Sequence, residues 1–263
     1  MPADLEGEAF FVARQEGVLA GTACAREAAR LVGDLEASFS CGDGAEVVPG
    51  QVIGKMAGRY RSLLTAERTA LNFLCHLSGV ATLTARYVAA ARSANPACRI
   101  WDTRKTTPGL RALEKAAVRA GGGVNHRGSL SEGVLVKDNH LGAATIAEAV
   151  GKARARFPGR MVEVECDRLE QVREALEAGA GLILCDNMAP TELAQAVSVV
   201  RSHPRGGAGA VLVEASGGIS LETVAAYAAA GPDLISVGAL THSAPVLDIG
   251  LDLAPPSGRG GVE

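Results

Sequence analysis

The sequence predicts an α/β protein, namely an irregular β/α barrel preceded by a smaller N-terminal α+β domain. Three observations support this fold class. The chain has 263 residues and is 48% hydrophobic, which is enough to bury a large core. In its later part, short apolar runs alternate with amphipathic segments, as is typical of parallel strands joined by helices. Its early part instead shows short β-rich runs separated by glycine-rich turns.

The N-terminal domain is predicted to span residues 1–94. Its strands include residues 10–13 and 51–56, which are rich in β-branched and aromatic side chains or lie between turn signals. Thr65 is predicted to cap a helix, because apolar residues follow it at helical spacing towards Ala91. We expect this helical part to link the two domains.

The barrel domain is predicted to span residues 95–254, followed by a mobile glycine- and proline-rich tail at 255–263. Its expected strands are 99–103, 134–137, 162–165, 182–185, 211–214 and 234–237, and its expected helices are 146–156, 169–178, 192–202 and 221–229. An open doubly wound sheet also fits this alternation, but no early strand precedes the Gly-x-Gly-x-x-Gly pattern of dinucleotide-binding folds. We therefore favour a barrel, and an irregular one, because fewer strands are recognisable than the usual eight.

Charge and targeting features limit the possible partners. The formal net charge is −3 and the basic residues are spread along the chain, so the basic surface of a nucleic-acid-binding protein is not expected. No segment is long and apolar enough to cross a bilayer, and the start lacks a basic region followed by an apolar run. We expect a cytoplasmic protein that binds neither nucleic acid nor membrane.

Polar or ionisable residues end nearly every predicted barrel strand. The carboxyl ends of barrel strands converge on one mouth, so these side chains should face one another. They are Arg104 with Lys105, Lys137, Glu165, Asp186, Glu214 with Ser216, and Gly238. Crowded charges are unfavourable unless they pair with each other or with a ligand. This ring therefore predicts an ionic substrate and a metal.

Cations in two loops predict a site for a small acid with two carboxylates. Arg104, Lys105 and the pair His126-Arg127 supply the charge, and a guanidinium matches a carboxylate through two hydrogen bonds. We interpret His126 as an anion-binding residue rather than a base. Lys137 ends an apolar strand and precedes Asp138-Asn139-His140, which favours a functional role for this lysine.

Glu165 and Asp186 end consecutive strands, and their role is open at this stage. They can hold ribose hydroxyls, position Mg²⁺, or stabilise positive charge that develops on a sugar ring. A purely structural role, the neutralisation of Lys137 and Arg104, is the alternative.

Two glycine-containing loops predict a phosphate site. They are Ser216-Gly217-Gly218 and Val237-Gly238-Ala239. The first follows a strand and precedes a predicted helix, so bare amides and the helix dipole can both act on an anion. Paired loops after late strands are a recurrent phosphate site in barrels.

Along nearly its whole length the chain resembles the quinolinate phosphoribosyltransferases, also called carboxylating nicotinate-nucleotide pyrophosphorylases. The most specific motifs are ERTALN at 67–72, SGVAT at 78–82 and DTRKTTPG at 102–109. The others are GGG at 121–123 with His126-Arg127, KDNH at 137–140, EVE at 163–165, DN at 186–187 and EASGG at 214–218. The resemblance implies an N-terminal α+β sandwich domain packed against an α/β barrel.

The resemblance also implies a reaction and a site. Quinolinate and phosphoribosyl pyrophosphate, with Mg²⁺, would give nicotinate mononucleotide, pyrophosphate and carbon dioxide for NAD synthesis. The implied substrate-binding residues are Arg68, Thr103, Arg104, Lys105, His126, Arg127, Lys137, Glu165, Asp186, Ser216, Gly217, Gly218, Val237, Gly238 and Ala239. The implied catalytic residues are Lys137, Glu165 and Asp186, and the two carboxylates are the candidate metal ligands, directly or through water.

The implied assembly is a homodimer or a dimer-based oligomer with a shared active site, in which Arg68 reaches the site of the neighbouring subunit. Family members carry a further N-terminal stretch, with an acidic Gly-Asp-Thr type motif, ahead of the segment matching Phe10 to Gly21. Its absence here predicts a misassigned start codon or a shortened chain, with weaker dimer packing or site closure.

Two other functions are compatible with the sequence. One is a related phosphoribosyltransferase that acts on nicotinate or another ring acid, such as the molybdenum-associated homologues. The other is a non-catalytic barrel that senses phosphorylated metabolites.

Overall fold

A computed structural model describes residues 5–137, 144–206 and 210–254 of the chain. Its strands are β1 Glu6–Ala13, β2 Gly17–Val18, β3 Leu35–Phe39, β4 Glu46–Val47, β5 Val52–Arg59, β6 Arg99–Trp101, β7 Val134–Val136, β8 Val162–Cys166, β9 Leu182–Asp186, β10 Leu212–Ser216, β11 Leu234–Ser236 and β12 Ile249–Leu253. Its helices are α1 Thr22–Val32, α2 Tyr60–Ala94, α3 Arg111–Ala120, α4 Ile146–Arg156, α5 Leu169–Ala178, α6 Pro190–Ser202, α7 Val224–Ala229 and α8 Ala239–His242.

The described residues form two units, and the boundary between them falls within α2, after Ala85. Two segments that the sequence assigned to the barrel, 112–122 and 243–254, belong to the first unit instead. Their contacts explain the difference, because β12 pairs with β1 and the buried carboxylate of Glu114 on α3 pairs with His76 on α2. The predicted tail at 255–263 lies outside the described residues.

The first unit is built on an antiparallel sheet with the strand order β12-β1-β5-β3. Side chains alternate between the two faces of a strand, so Ala9, Phe11 and Ala13 of β1 all point into the core, where they are fully buried. Leu63 and Leu74 of α2 are fully buried in the same apolar cluster. This unit is the small α+β domain that the sequence predicted.

Helix α2 begins at Tyr60, five residues before the predicted cap at Thr65. The Thr65 hydroxyl donates to the carbonyl of Arg61 at 2.8 Å, one turn earlier, so Thr65 lies in the helix interior. The prediction failed because β5 runs directly into α2, with no turn residues to mark the change. In the described part of the chain, neither α2 nor any other helix is long and apolar enough to cross a bilayer.

The second unit contains a six-stranded parallel sheet with the order β6-β11-β10-β9-β8-β7. All the strands predicted for the barrel are present. The helices predicted at 146–156 and 169–178 have the bounds of α4 and α5. Helix α6 begins two residues early at Pro190, and α7 begins three residues late at Val224.

This sheet is rolled into a barrel. Val124 pairs with Trp101 on the free edge of β6, and the ring of His126 lies 3.2 Å from the carboxylate of Glu163 on β8. In a flat sheet, β6 and β8 would be about 19 Å apart, since four strand spacings separate them. The predicted β/α barrel is therefore confirmed, and it is irregular because Val124 contributes an isolated bridge rather than a strand.

Apolar side chains fill the part of the barrel interior that lies nearer the amino ends of the strands. Leu182, Leu184 and Leu234 form a buried cluster there. The partly buried side chains that pack against it are Trp101, Leu135 and Leu212. This packing leaves the opposite end of the barrel for polar groups.

Asp233 joins three elements on the amino-terminal side of the barrel. Its carboxylate accepts hydrogen bonds from Arg201 Nη2 at 2.8 and 2.7 Å and from the amide of Val213 at 2.7 Å. Replacing Asp233 with alanine should lower the free energy of unfolding by about 2 kcal/mol, because it removes a bidentate ion pair and leaves a backbone amide without its acceptor.

Urea denaturation measures this loss. A matched control is Glu8→Ala, which removes an exposed ion pair with Lys55 and should change stability little. Equal losses in the two variants would show that Asp233 has no special role.

Candidate active site

The carboxyl ends of the barrel strands carry several of the predicted site residues. Glu165 lies opposite Leu184 on β8 and β9, and Ser216 lies opposite Asp186 on β10 and β9. Residues at even spacing share one face of a strand, so Asp186 has the same orientation as Leu184, which points into the barrel. The two carboxylates therefore occupy neighbouring strands at the same mouth.

Lys137 and Glu165 form an ion pair at this mouth. The Lys137 Nζ atom lies 2.6 Å from Glu165 Oε2. The Glu165 side chain is only 9% exposed and needs a counter-charge, whereas Lys137 is 45% exposed and can also contact a ligand. The residues Asp138-Asn139-His140, which follow in the sequence motif, lie outside the described residues.

Arg104 and Arg127 lie close enough to repel each other. Burial and, after it, the positive charge of Arg104 lower the pKa of Arg127, while the Glu163 carboxylate acts in the opposite direction. The Arg127 side chain is held by a hydrogen bond of 2.9 Å from Nη1 to the carbonyl of Gly133. A ligand with two negative charges would relieve this repulsion.

The basic run itself is fixed by hydrogen bonds to its backbone. The amide of Lys105 donates to Thr103 Oγ1 at 3.0 Å, and the Thr241 hydroxyl donates to the Lys105 carbonyl at 2.8 Å. Arg111 Nη2 donates to the Arg104 carbonyl at 3.2 Å. The Lys105 side chain extends along the second glycine loop, since a Cβ atom on Gly238 would lie 3.2 Å from its Cδ.

The loop at Ser216-Gly217-Gly218 packs against the end of β9. The amide of Asn187 donates to the Ser216 carbonyl at 2.9 Å, and the Asn187 side chain donates to Asp186 Oδ2 at 2.7 Å. The predicted helix does not follow directly, because residues 220–223 form a turn before α7. No helix begins directly after this loop, and anion binding by its backbone amides stays a prediction.

Gly217 cannot be replaced without moving its neighbour. Its φ is +97°, and an added Cβ would lie 2.2 Å from Asn187 Oδ1. We expect Gly217→Ala to reduce kcat/KM by at least about tenfold, because the displaced Asn187 would no longer hold Asp186.

Gly50→Ala is the matched control for this prediction. Gly50 has φ +81°, an added Cβ would meet nothing within 4 Å, and the residue is not among the predicted site residues. Steady-state kinetics on both variants tests the steric argument, and a loss of the same size in Gly50→Ala would contradict it.

His126 lies inside the barrel beside two buried carboxylates. Its Nε2 atom is 3.2 Å from Glu163 Oε2 and 3.7 Å from Glu214 Oε2, and the three side chains are 12%, 9% and 1% exposed. Burial, followed by the negative charge of Glu163, raises the pKa of Glu214 well above its ordinary value. The predicted contact of His126 with an anion stays a prediction.

Some residues of this region were not predicted as binding residues. Asp102 is fully buried, and its Oδ1 accepts the His126 amide at 2.9 Å while its other oxygen accepts from the Asn125 side chain. Glu163 is recognisable in retrospect, because it alternates with Glu165 on one strand and so shares its face. Nothing local in the sequence marks Asp102 as buried.

A cavity of about 530 Å³ adjoins the His126 region. Its lining is Trp101, Asn125, His126, Arg127, Glu132, Gly133, Val134, Gly159, Arg160, Met161, Glu163 and Leu182. Val134 and Leu182 of this lining are the first residues of β7 and β9, and Lys137, Glu165 and Asp186 are not part of the lining. The structure thus brings Lys137 and Glu165 together at the mouth, whereas His126 and Arg127 line the cavity.

Arg68 is the one predicted site residue that belongs to the first unit. Its side chain is 75% exposed and lies 3.9 Å from Glu67. The other predicted residues all belong to the second unit. Arg68 had no bottom-up signal in the sequence, since an arginine on a helix surface is ordinary.

Fold and site together define an α/β-barrel enzyme whose mouth can bind an anionic small molecule. Residues 80–252 match the C-terminal domain of quinolinate phosphoribosyl transferase, and residues 1–78 match the N-terminal domain. The chain belongs to the quinolinate phosphoribosyltransferase family.

Individual proteins are similar to this chain over most of its length. A nicotinate-nucleotide pyrophosphorylase [carboxylating] from Mycobacterium leprae (strain TN) is 46% identical over 96% of this chain and 88% of its own length. The chloroplastic enzyme of that name from Arabidopsis thaliana is 40% identical over 96% of this chain and 76% of its own. The structure of the nicotinate-nucleotide pyrophosphorylase from Francisella tularensis superposes with a TM-score of 0.90 at 36% identity, covering 96% of this chain and 88% of that one.

Proposed function

We propose that this chain transfers a phosphoribosyl group from phosphoribosyl pyrophosphate to quinolinate and releases pyrophosphate and carbon dioxide. The product is nicotinate mononucleotide, a precursor of NAD. The observation that carries this proposal is the Lys137–Glu165 ion pair at the carboxyl ends of the barrel strands, with Asp186 on the neighbouring strand. Family membership supports the same reaction.

The cations bind the two ring carboxylates of quinolinate. Arg104 and Arg127 each offer a planar pair of donors, and their mutual repulsion falls when a dianion lies between them. Lys137 is half-exposed and supplies a third positive charge. A mono-acid such as nicotinate would leave part of this charge unmatched, so the site favours the di-acid.

In this proposal, Glu165 and Asp186 contact the ribose and bind Mg²⁺. They lie on adjacent strands of the barrel mouth, and carboxylate oxygens are the ligands that Mg²⁺ prefers. These carboxylate ligands thus suit a Mg²⁺ ion that binds together with phosphoribosyl pyrophosphate. They would hold the ion directly or through water. When bound, Mg²⁺ would offset the charge of the pyrophosphate.

The reaction needs no nucleophilic side chain. The ring nitrogen of quinolinate bonds to C1 of the ribose as the bond from C1 to pyrophosphate breaks, and the nearby carboxylates stabilise the positive charge on the sugar. The alkylated ring is a cation that can accept the electron pair of the adjacent carbon–carboxylate bond. Carbon dioxide then leaves, and a proton takes its place on the ring.

Our proposal includes a homodimer, or an oligomer built from dimers, with Arg68 acting in the site of the partner. The exposure of Arg68 supports this role, because a side chain that is 75% exposed is accessible to a second chain.

The first experiment offers quinolinate and nicotinate separately, each with phosphoribosyl pyrophosphate and Mg²⁺, and measures nicotinate mononucleotide. We expect turnover of quinolinate only. Turnover of nicotinate without quinolinate would support the related phosphoribosyltransferase instead, and calorimetric binding of the substrates without product would support a sensor.

A further inference from the structure

Hydrogen bonds fix the loop formed by Asn125, His126 and Arg127. Asp102 accepts from the His126 amide, and the rings of His126 and Trp101 form a T-shaped pair with the ring centroids 4.8 Å apart and the planes at 90°. The His126 Nδ1 atom accepts the backbone amide of Arg127 at 2.7 Å. The imidazole therefore fixes the backbone amide of Arg127.

This last hydrogen bond fixes the tautomer of His126. An acceptor nitrogen carries its lone pair, so the proton of the neutral ring resides on Nε2. Nε2 then donates towards Glu163 Oε2 at 3.2 Å, with Glu214 behind it at 3.7 Å.

The spacing of His126, Glu163 and Glu214 would also suit a metal ion, since their ligand atoms lie within 4.8 Å of one another. The tautomer argues against that reading. A metal on Nε2 would require a proton on Nδ1, which would then face the Arg127 amide hydrogen.

The two carboxylates lie at different distances from His126. Glu214 is 1% exposed, and its Oε2 atom has no hydrogen-bond partner among the described residues. Burial and then the negative charge of Glu163 raise the pKa of Glu214 well above its ordinary value. Glu163 is therefore the carboxylate within hydrogen-bond distance of His126, and Glu214 lies behind it.

We propose that Glu163 and Glu214 are positioning residues that act on the substrate through His126 and Arg127. They orient the imidazole, the imidazole fixes the Arg127 backbone, and Arg127 then meets a carboxylate of the dianion. The proposal rests on the quinolinate reaction proposed above, but its hydrogen-bond geometry can be tested without substrate.

The kinetic test compares Glu163→Leu with Glu163→Gln. Glutamine keeps a carbonyl oxygen for His126, whereas leucine has a similar volume and no acceptor. We expect Glu163→Leu to raise KM for quinolinate by about tenfold, with kcat and KM for phosphoribosyl pyrophosphate within about twofold of the parent. Glu163→Gln should recover most of the loss. A general structural defect would change both KM values and lower Tm, and equal effects of leucine and glutamine would overturn the proposal.

The second test is independent of activity and of folding of the leucine variant. In ¹⁵N-histidine-labelled protein without substrate, two-bond couplings report which ring nitrogen carries the proton, and His126→Gln assigns the resonance. We expect the Nε2–H form. A proton on Nδ1 alone would refute the positioning network, whereas absent quinolinate turnover by the parent protein would refute the proposed function and leave the tautomer result standing.

Discussion

Replacing Arg104 with alanine is expected to weaken quinolinate binding by roughly a hundredfold or more, because a bidentate charge-assisted contact contributes about 3 kcal/mol. The fold should persist, since the loop is held through the Arg104 carbonyl and not through its guanidinium. Isothermal titration calorimetry with quinolinate measures the affinity, and thermal denaturation verifies the fold.

Two further variants separate charge from geometry. Arg104→Lys keeps the positive charge but loses the planar pair of donors, so its affinity should lie between those of the parent and the alanine variant. Arg173→Ala removes an exposed arginine from α5 and should bind normally. Unchanged affinity in Arg104→Ala would overturn the placement of the dianion.

Mixing an Arg68→Ala chain with a Lys137→Ala chain should restore activity that neither chain has alone. If Arg68 acts in the partner's site, each heterodimer contains one site with both side chains and one site with neither. Random pairing makes half of the dimers heterodimers, so about a quarter of the parent activity should return. The assay measures product formation after the two chains are unfolded together and refolded.

The control mixes Arg68→Ala with Arg104→Ala in the same way. Arg104 and Lys137 both belong to the barrel unit, so this pair should recover activity to a similar extent. A mixture of Lys137→Ala with Arg104→Ala should form heterodimers too. Each site would then lack one of the two barrel cations, so no activity should return. Recovery in that last mixture, or none in the first, would exclude the shared site.

The barrel could be predicted because its evidence is local. Each strand is a short apolar run, and the pairing order follows from the strand–helix alternation. The sequence boundaries of the first unit were predicted less well. Residues 112–122 and β12 join it through partners distant in sequence, and the start of α2 has no turn residue before it. No local pattern reports such long-range pairing.

The mouth of the site could be predicted for a similar reason. Once the strands are known, topology brings Lys137, Glu165 and Asp186 to one end of the barrel. The network below them could not be predicted, because burial of Glu214 beside Glu163 depends on how the sheet rolls. The structural role of Asp102 likewise depends on a loop distant in sequence.

The pairing of β12 with β1 has a consequence for synthesis on the ribosome. The edge of β1 that β12 covers stays open until residues 249–253 have emerged, which happens after every strand of the barrel has been made. During that interval the first unit exposes an unpaired edge, the kind of surface that invites association between nascent chains. The barrel can therefore begin to fold before the unit that precedes it in the sequence, and premature release of the chain should yield aggregates even when every site residue has been translated.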